Sequence, residues 1–555
     1  MSRHLTAFTM ASRACLTLLW LMTMPLSQAA NSYSQQAFHL PAHAESLVVV
    51  DLDGDGLQEL ITVVDDSIRV YLHGPNGFDF DDGFAEIPLS ASAVGWDISN
   101  GHSESGNTDI ITLSDGNLVE RWSLVNGTLN SQNIASNLSG FLNRGLQRLH
   151  FSRDINNDGL EDLIIPGAGL LQIFINAGDG NFQTPLAIQS DFRMRTSLNI
   201  NRLNRSTGQS VRIPALELRD VNNDQAADLV SRNDERLDVF LANSNGTSYF
   251  PTTPTYTIDI AEIEARLGEF DIDNVDFSNL TGILSLTHEE ILEDMDGDGI
   301  DDLLLREGGK VSLFMGNPTG MNLEQPQQVL RSGGNVLSTF LNDENEDGLK
   351  DLWLWRVEPI SVGDVFVWLA LSGSIAIEAF IYPNEGDRFA RRPTRRVNVD
   401  LRFPSVIRLA SAYESLNSES ESLDLSDRSP YTQAAIDDQT TLNDLLVLRG
   451  DQVQLFLNSI DESRNDEFLG ALGYSRERDN YEIDIRQIIN NVNVQVDPTL
   501  SRVDNVSADQ SIDLSASVSR GDISAANLNG DGVDDIIVFT EYDGSQIRGL
   551  LLISE

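Results

Sequence analysis

Short apolar runs recur along the chain, and most are opened by an acidic turn. Leu60-Ile61, Leu163-Ile164-Ile165, Leu229-Val230, Leu303-Leu304-Leu305, Leu352-Trp353-Leu354-Trp355 and Ile536-Ile537-Val538-Phe539 are continuous rather than alternating. A strand that is apolar on consecutive residues is covered on both faces. A short apolar strand leads into each turn, as in Leu47-Val48-Val49-Val50. After the run comes an alternating strand, such as Ile68-Arg69-Val70-Tyr71-Leu72 or Leu171-Gln172-Ile173-Phe174-Ile175. Turn residues follow, including Gly74-Pro75-Asn76-Gly77 and Pro383-Asn384-Glu385-Gly386, and then a more polar strand suited to an edge. Four-stranded sheets, buried in the middle and packed face to face around an axis, predict an all-β fold, a β-propeller.

The number of units follows from the turns. Their last acidic residues are Glu59, Asp162, Asp228, Asp302, Asp351 and Asp535. Two wide gaps each hold a degenerate copy: Asn107-Thr108-Asp109-Ile110-Ile111, and Asn443-Asp444-Leu445-Leu446-Val447-Leu448. That makes about eight four-stranded blades, with seven as the alternative. The last unit stops after its third strand, Ile547 to Ile553. The segment Gln36-Ala37-Phe38-His39-Leu40 precedes the first unit, so this N-terminal strand is expected to close the last blade. Residues 30–555 then form a single domain with insertions near 190–212, 359–382 and 410–433. The second insertion contains Val365 to Ile377, a charge-free stretch too short to span a bilayer and expected to be a packed helix or strand. The third reads as a solvated loop.

The turns carry the candidate chemistry. Asp294, Asp296, Asp298 and Asp302 occupy the first, third, fifth and ninth positions of the strongest one, with Gly299 at the sixth. Two carboxylates about 4 Å apart repel by roughly 4 kcal/mol at an effective dielectric near 20. A cation at the centre removes that cost. Alternate spacing through a turn is how a calcium loop gathers oxygens, with a backbone carbonyl at the seventh position. The same register returns as Asp51, Asp53, Asp55 and Glu59; as Asp154, Asn156, Asp158 and Asp162; as Asp220, Asn222, Asp224 and Asp228; as Asp343, Asn345, Asp347 and Asp351; and as Asn527, Asn529, Asp531 and Asp535. Gln225 stands where the turn at Asp220 should have Gly. The two degenerate copies lack the alternate carboxylates and are expected to hold no metal.

Composition narrows the partners. The chain has 37 basic against 85 acidic residues, a net charge of −48. Lys310 and Lys350 are its lysines. Such a balance argues against nucleic acid and anionic membranes. Arg3 and Arg13, the apolar stretch Ala14 to Leu26 and the small-residue site Ser27-Gln28-Ala29 form a secretory leader, residues 1–29. Cys15, the sole cysteine, lies within it, so the mature chain carries no disulfide. Export to a secreted, periplasmic or cell-surface location is expected, with no membrane span after cleavage.

One stretch opposes the general charge. Arg388, Arg391, Arg392, Arg395, Arg396, Arg402 and Arg408 gather around Asp400. Arg forks suit carboxylates and sulfates, so Arg391, Arg392, Arg395 and Arg396 are candidates for docking an acidic glycan or partner. The alternative is that they pair with the chain's own acidic surface. No G-x-S-x-G, H-E-x-x-H or Walker signature occurs, and the histidines are scattered.

The pattern D-x-D-x-D-G-x-x-D-L before an apolar strand resembles the FG-GAP/VCBS repeat family, which includes the calcium-bearing propeller of integrin α subunits and secreted bacterial proteins. The metal motif is specific, while the FG-GAP tag is poorly kept. The resemblance implies calcium, up to six ions, held by the first, third, fifth and ninth side chains and by the seventh carbonyl. Those carbonyls belong to Leu57, Leu160, Ile300, Leu349 and Val533. It implies a non-catalytic binding or adhesion module, monomeric, with an extracellular glycan or protein ligand. A polysaccharide lyase on a calcium-bearing propeller is the competing expectation.

Overall fold

The structure is a computed structural model. It describes residues 32–555 apart from 90–92, 100–107, 115–116, 137, 139–146, 167–168, 179–180, 200–203, 213, 244–245, 247, 270, 272–275, 412–428, 437–442, 461–473, 486–497, 504–505, 519–520 and 543. The leader and its Cys15 therefore lie outside the described residues, as do Asn107 and most of 410–433.

The chain divides into two compact units. One comprises the described residues of Met1–His39, Ser429–Ile460 and Ser507–Glu555; the other comprises those of Leu40–Arg428 and Asp461–Val506. The larger unit contains six antiparallel sheets that follow one another along the chain. Their second strands are Glu59–Val64, Ile110–Ser114, Asp162–Pro166, Asp228–Arg232, Asp302–Glu307 and Asp351–Val357. Each second strand lies inside its sheet, between the lead-in strand and the third strand. Glu59–Val64 and Asp302–Glu307 are buried along their whole length.

Continuous apolar runs are explained by what lies on either side. Leu303 and Leu305 enter a core with Val239 and Ile258 of the preceding sheet. Leu304, between them, enters a core with Leu352 and Leu354 of the following sheet. The alternation of a strand thus feeds two cores at once. Adjacent sheets share such cores from the first to the sixth. Each fully buried Leu or Ile contributes on the order of 1.5–3 kcal/mol.

Two sheets of this unit carry an added edge strand that the sequence pattern does not announce. Gln147–Arg148 runs parallel to Ala93–Ile98, and Asn480–Asp484 runs parallel to Arg395–Phe403. The insertion near 190–212 is a two-stranded hairpin, Asp191–Asn199 with Asn204–Arg212. The one at 359–382 divides. Gly373–Tyr382 is the third strand of the sixth sheet, and only the helix Val362–Ala370 is additional. That helix is not packed as expected: none of its residues is buried, and Phe366 is 67% exposed. The stretch expected as a solvated loop ends in a strand, Tyr431–Ala434. Among the described residues no helix is long and apolar enough to cross a membrane.

The smaller unit holds two sheets. Tyr431–Ala434, Asn443–Arg449, Gln452–Ile460 and Gln510–Asp513 form one. The other has Asp522–Ala526, Asp535–Tyr542 and Gln546–Ser554, with Tyr33–Pro41 as its fourth strand. The N-terminal segment does complete the last sheet. Glu555 N–H donates to the Ser32 carbonyl at 3.0 Å. Phe38 is buried and meets Phe539 edge-on at 5.6 Å. Gly549 leaves no room for a Cβ between the Phe38 ring and the Val538 carbonyl.

Replacing Phe38 with Ala should therefore destabilise the smaller unit by about 3–5 kcal/mol. Urea unfolding followed by Trp-independent circular dichroism measures this; an unchanged midpoint would show that the strand adds no stability.

Candidate functional site

The acidic turns fold by binding their own backbone. The fifth-position carboxylate accepts the seventh-position N–H in all six: Asp55 from Leu57 at 2.8 Å, Asp158 from Leu160 at 2.8 Å, Asp224 from Ala226 at 2.9 Å, Asp298 from Ile300 at 2.8 Å, Asp347 from Leu349 at 2.9 Å, and Asp531 from Val533 at 2.8 Å. Asp51, Asp154, Asp220, Asp294 and Asp343 at the first position accept the N–H of the sixth. The sixth residue is left-handed throughout, including Gln225 at φ +71°. The fourth is left-handed too: Gly54, Asn157, Asn223, Gly297, Glu346 and Gly530. That second bend is visible in the sequence only as a preference for Gly and Asn.

The ninth-position carboxylate has a role that ligand spacing does not reveal. It is buried, and each oxygen takes a different N–H. One oxygen of Asp302 accepts from Met295 at 3.1 Å, inside the turn; the other accepts from Gly316 at 2.8 Å, beyond the third strand. Asp162 does the same with Ile155 and Asn176, Asp228 with Val221 and Ala242, Asp351 with Glu344 and Asn384, and Asp535 with Leu528 and Ser554. Glu59 holds Leu52 and His73. Degenerate Asp444 keeps both arms, to Ile436 and Asn458. Asp109 instead sits near Arg121 at 3.5 Å.

Two turns gather side-chain oxygens tightly enough for an ion. Asp51, Asp53 and Glu59 form one group and Asp294, Asp296 and Asp302 the other, with one oxygen per residue lying within 4.8 Å of the others. Both are first, third and ninth positions; Asp55 and Asp298 stand outside the groups. Burial, reinforced by the neighbouring Asp55, raises Asp53 above the usual carboxylate range. Burial also raises Asp296, with Asp298 and Asp294 adding to it against a backbone hydrogen bond. Glu59 is pushed up to about 7 and Asp302 to about 6, in each case chiefly by burial.

The other four turns have Asn at the third position, and its amide donates to the fifth carboxylate. The distances are 2.9 Å for Asn156–Asp158, 3.1 Å for Asn222–Asp224, 2.8 Å for Asn345–Asp347 and 3.1 Å for Asn529–Asp531. Burial acts to raise Asp531, but the Val533 N–H, the Ser554 hydroxyl and the Asn529 amide outweigh it and hold it low. A donor built into the turn thus does part of what a cation would do. The turn at Asp343 has more help: Arg476 binds Glu346 and the Asp343 carbonyl, Arg395 and Tyr474 bind Glu344, and Lys350 reaches Glu293 at 2.5 Å.

The arginine cluster is not one free face. Arg395 is half-buried, with Asp479 at 2.8 Å and Glu344 as its other ion pair. Arg396 pairs with Glu378, Arg388 with Asp387, and Arg402 with Glu482 at 2.6 Å. Arg391 and Arg392 are exposed, with no ion pair among the described residues.

No protein-family model matches the chain. No curated protein matches it either. Among solved structures, a lectin of Agrocybe aegerita that recognises non-reducing terminal N-acetylglucosamine is 14% identical, with a TM-score of 0.25 over 67% of this chain and 90% of that one. BBS1N, crystallised with ARL6DN, is 8% identical, with a TM-score of 0.24 over 94% of this chain and 98% of that one. The Photorhabdus luminescens Tc holotoxin pore is 12% identical, with a TM-score of 0.20 over 80% of this chain and 21% of that one.

Gln225 holds a left-handed bend against a side chain, so Gln225→Gly should stabilise the larger unit by about 1 kcal/mol in denaturant titration. A loss of stability would mean that the Gln side chain carries an unrecognised contact. Without a bound ion, burial pushes Glu59 up to about 7 in the folded chain from an ordinary value of 4.5. A carboxyl raised by folding stabilises fully below its unfolded value and loses that contribution as pH rises through the folded one. Metal-free melting temperature should therefore fall between about pH 4.5 and 7, and Glu59→Gln should flatten that fall; a variant with the parent slope would remove Glu59 as its source.

Proposed function

We propose that this chain is a secreted, calcium-stabilised β-propeller of the FG-GAP/VCBS type, acting as a non-catalytic binding module. Its eight sheets are read as the blades, and the two turns at Asp51 and Asp294 as the principal calcium sites. The observation that carries the reading is the convergence of three carboxylate oxygens in each of those two turns. Support for the repeat architecture comes from the shared cores of successive sheets within the larger unit.

The number of ions follows from the third position. Where it is Asp, three carboxylates converge with no internal donor between the third and fifth side chains. Repulsion of roughly 4 kcal/mol per close pair then favours a divalent ion. Calcium suits a flexible shell of carboxylate and carbonyl oxygens, whereas magnesium prefers to keep its waters. The four Asn-bearing turns are weaker sites, with the Asp343 turn weakest because guanidinium groups already surround it.

The role assigned to the ions is structural. Each fixes the entrance of a buried strand and leaves the other loops free for a ligand. Binding to the folded state alone stabilises it by about 2.7 kcal/mol at a concentration one hundred times Kd. Extracellular calcium modules bind at about 10⁻⁴ to 10⁻³ M, so millimolar calcium is the relevant range.

Isothermal titration of chelated protein with calcium should give two strong sites. Asp53→Ala and Asp296→Ala should each remove one, and melting temperature should rise in millimolar calcium. Equal melting in chelator and calcium, with no ion in native mass spectrometry, would end this reading.

A further inference from the structure

We infer that the additional helix Val362–Ala370 builds a saccharide pocket against the end of the sixth sheet, and that the pocket takes a neutral sugar of one or two rings. The pocket has a volume of about 440 Å³ and is lined by Glu358, Asp364, Trp368, Ser374, Arg402 and Phe403 among others. That volume lies within the range of about 300–1,000 Å³ usual for small-molecule sites.

The aromatic wall is fixed in place. Trp368 meets Phe403 edge-on, with ring centroids 5.1 Å apart and planes at 87°. Both rings lie directly over Gly373, where an added Cβ would stand 2.5 Å from Trp368 Cδ1 and 2.7 Å from Phe403 Cε2. The base of the helix is tied to the 276–281 segment. Leu280 N–H donates to the Ile360 carbonyl at 2.7 Å, and Val362 N–H to the Phe277 carbonyl at 2.9 Å. A reciprocal cap at the helix start holds Asp364: its carboxylate accepts the Ser361 N–H at 2.9 Å, and Ser361 Oγ accepts the Asp364 N–H at 3.1 Å.

The charge pattern selects the sugar class. Two carboxylates, Glu358 and Asp364, face the pocket against one guanidinium, Arg402. That guanidinium already serves Asp400 at 3.4 Å and Glu482 at 2.6 Å. An acidic sugar would meet net negative charge. A neutral pyranose offers C–H bonds to an indole ring, a favourable apolar contact. Its paired hydroxyls can donate to Glu358 and Asp364 and accept from Arg402 and Ser374 in charge-assisted hydrogen bonds.

This inference rests on the reading of the chain as a binding module and is independent of calcium. Saturation-transfer NMR on the full chain is the test, with glucose, galactose, mannose, N-acetylglucosamine, maltose, cellobiose and glucuronic acid as probes. At least one neutral probe should bind, and calorimetry should show affinity falling at least tenfold in Trp368→Ala. Gly373→Ala, which must displace both rings, should weaken binding likewise, while Leu371→Ser on the exposed side leaves it unchanged. Matched melting temperatures separate these effects from misfolding. A pocket that binds none of the probes, or prefers glucuronic acid, overturns the inference. Sugar binding that survives both Trp368→Ala and Gly373→Ala also overturns it, while leaving the binding-module reading standing.

Discussion

A buried carboxylate that accepts main-chain N–H groups from two directions governs the geometry of this protein. It closes the acidic turn from within and fastens the turn to the end of the third strand. Glu59, Asp162, Asp228, Asp302, Asp351, Asp444 and Asp535 all act in this way. Hydrogen bonds to a charged acceptor contribute about 1.5–3 kcal/mol each, and removal of the acceptor leaves two buried donors unpaired. The requirement is architectural and holds with or without an ion. It explains why Asp444 keeps both bonds in a degenerate copy.

The same turns divide by how their remaining charge is balanced. Asp at the third position leaves the balance open; Asn closes part of it with an amide donor. Arg395, Arg476 and Lys350 supply protein cations around the Asp343 turn instead. One backbone shape therefore serves both as a candidate ion cradle and as a purely proteinaceous corner.

Much of this is legible in the sequence, because periodicity reports burial directly. The runs at Leu303 and Leu352 announce strands with two covered faces, and the N-terminal segment announces itself as a missing partner. What stays hidden depends on contacts distant in sequence. The second arm of each ninth carboxylate lands at a residue fixed only by the length of the intervening hairpin, 14 residues on for Asp302 and 33 for Asp351. The parallel edge strand Asn480–Asp484 alternates Tyr481 and Ile483 with polar residues, but that pattern does not say which open edge it joins. Val362–Ala370 reads as core because it is apolar, yet none of its residues is buried and only Val362, Val365 and Trp368 are partly covered: hydrophobicity alone does not identify what a helix packs against. For the arginines from 388 to 402 the sequence offers both docking and pairing with the chain's own acids, because their partners Glu344, Glu378 and Glu482 lie elsewhere in the chain.

Ser32 and Glu555 are hydrogen-bonded although 523 positions separate them. A pairing of that span cannot form until the chain has been made through Glu555, and loop closure of this length is slow as well as entropically costly. Until then the hairpin Asp535–Ser554 offers an uncapped edge, and Tyr33–Pro41 is a loose β-segment. Two nascent copies at high local concentration could exchange these segments, each supplying the other's missing ladder. A ladder between segments so far apart in sequence is thus also a route to intertwined dimers and longer chains of copies.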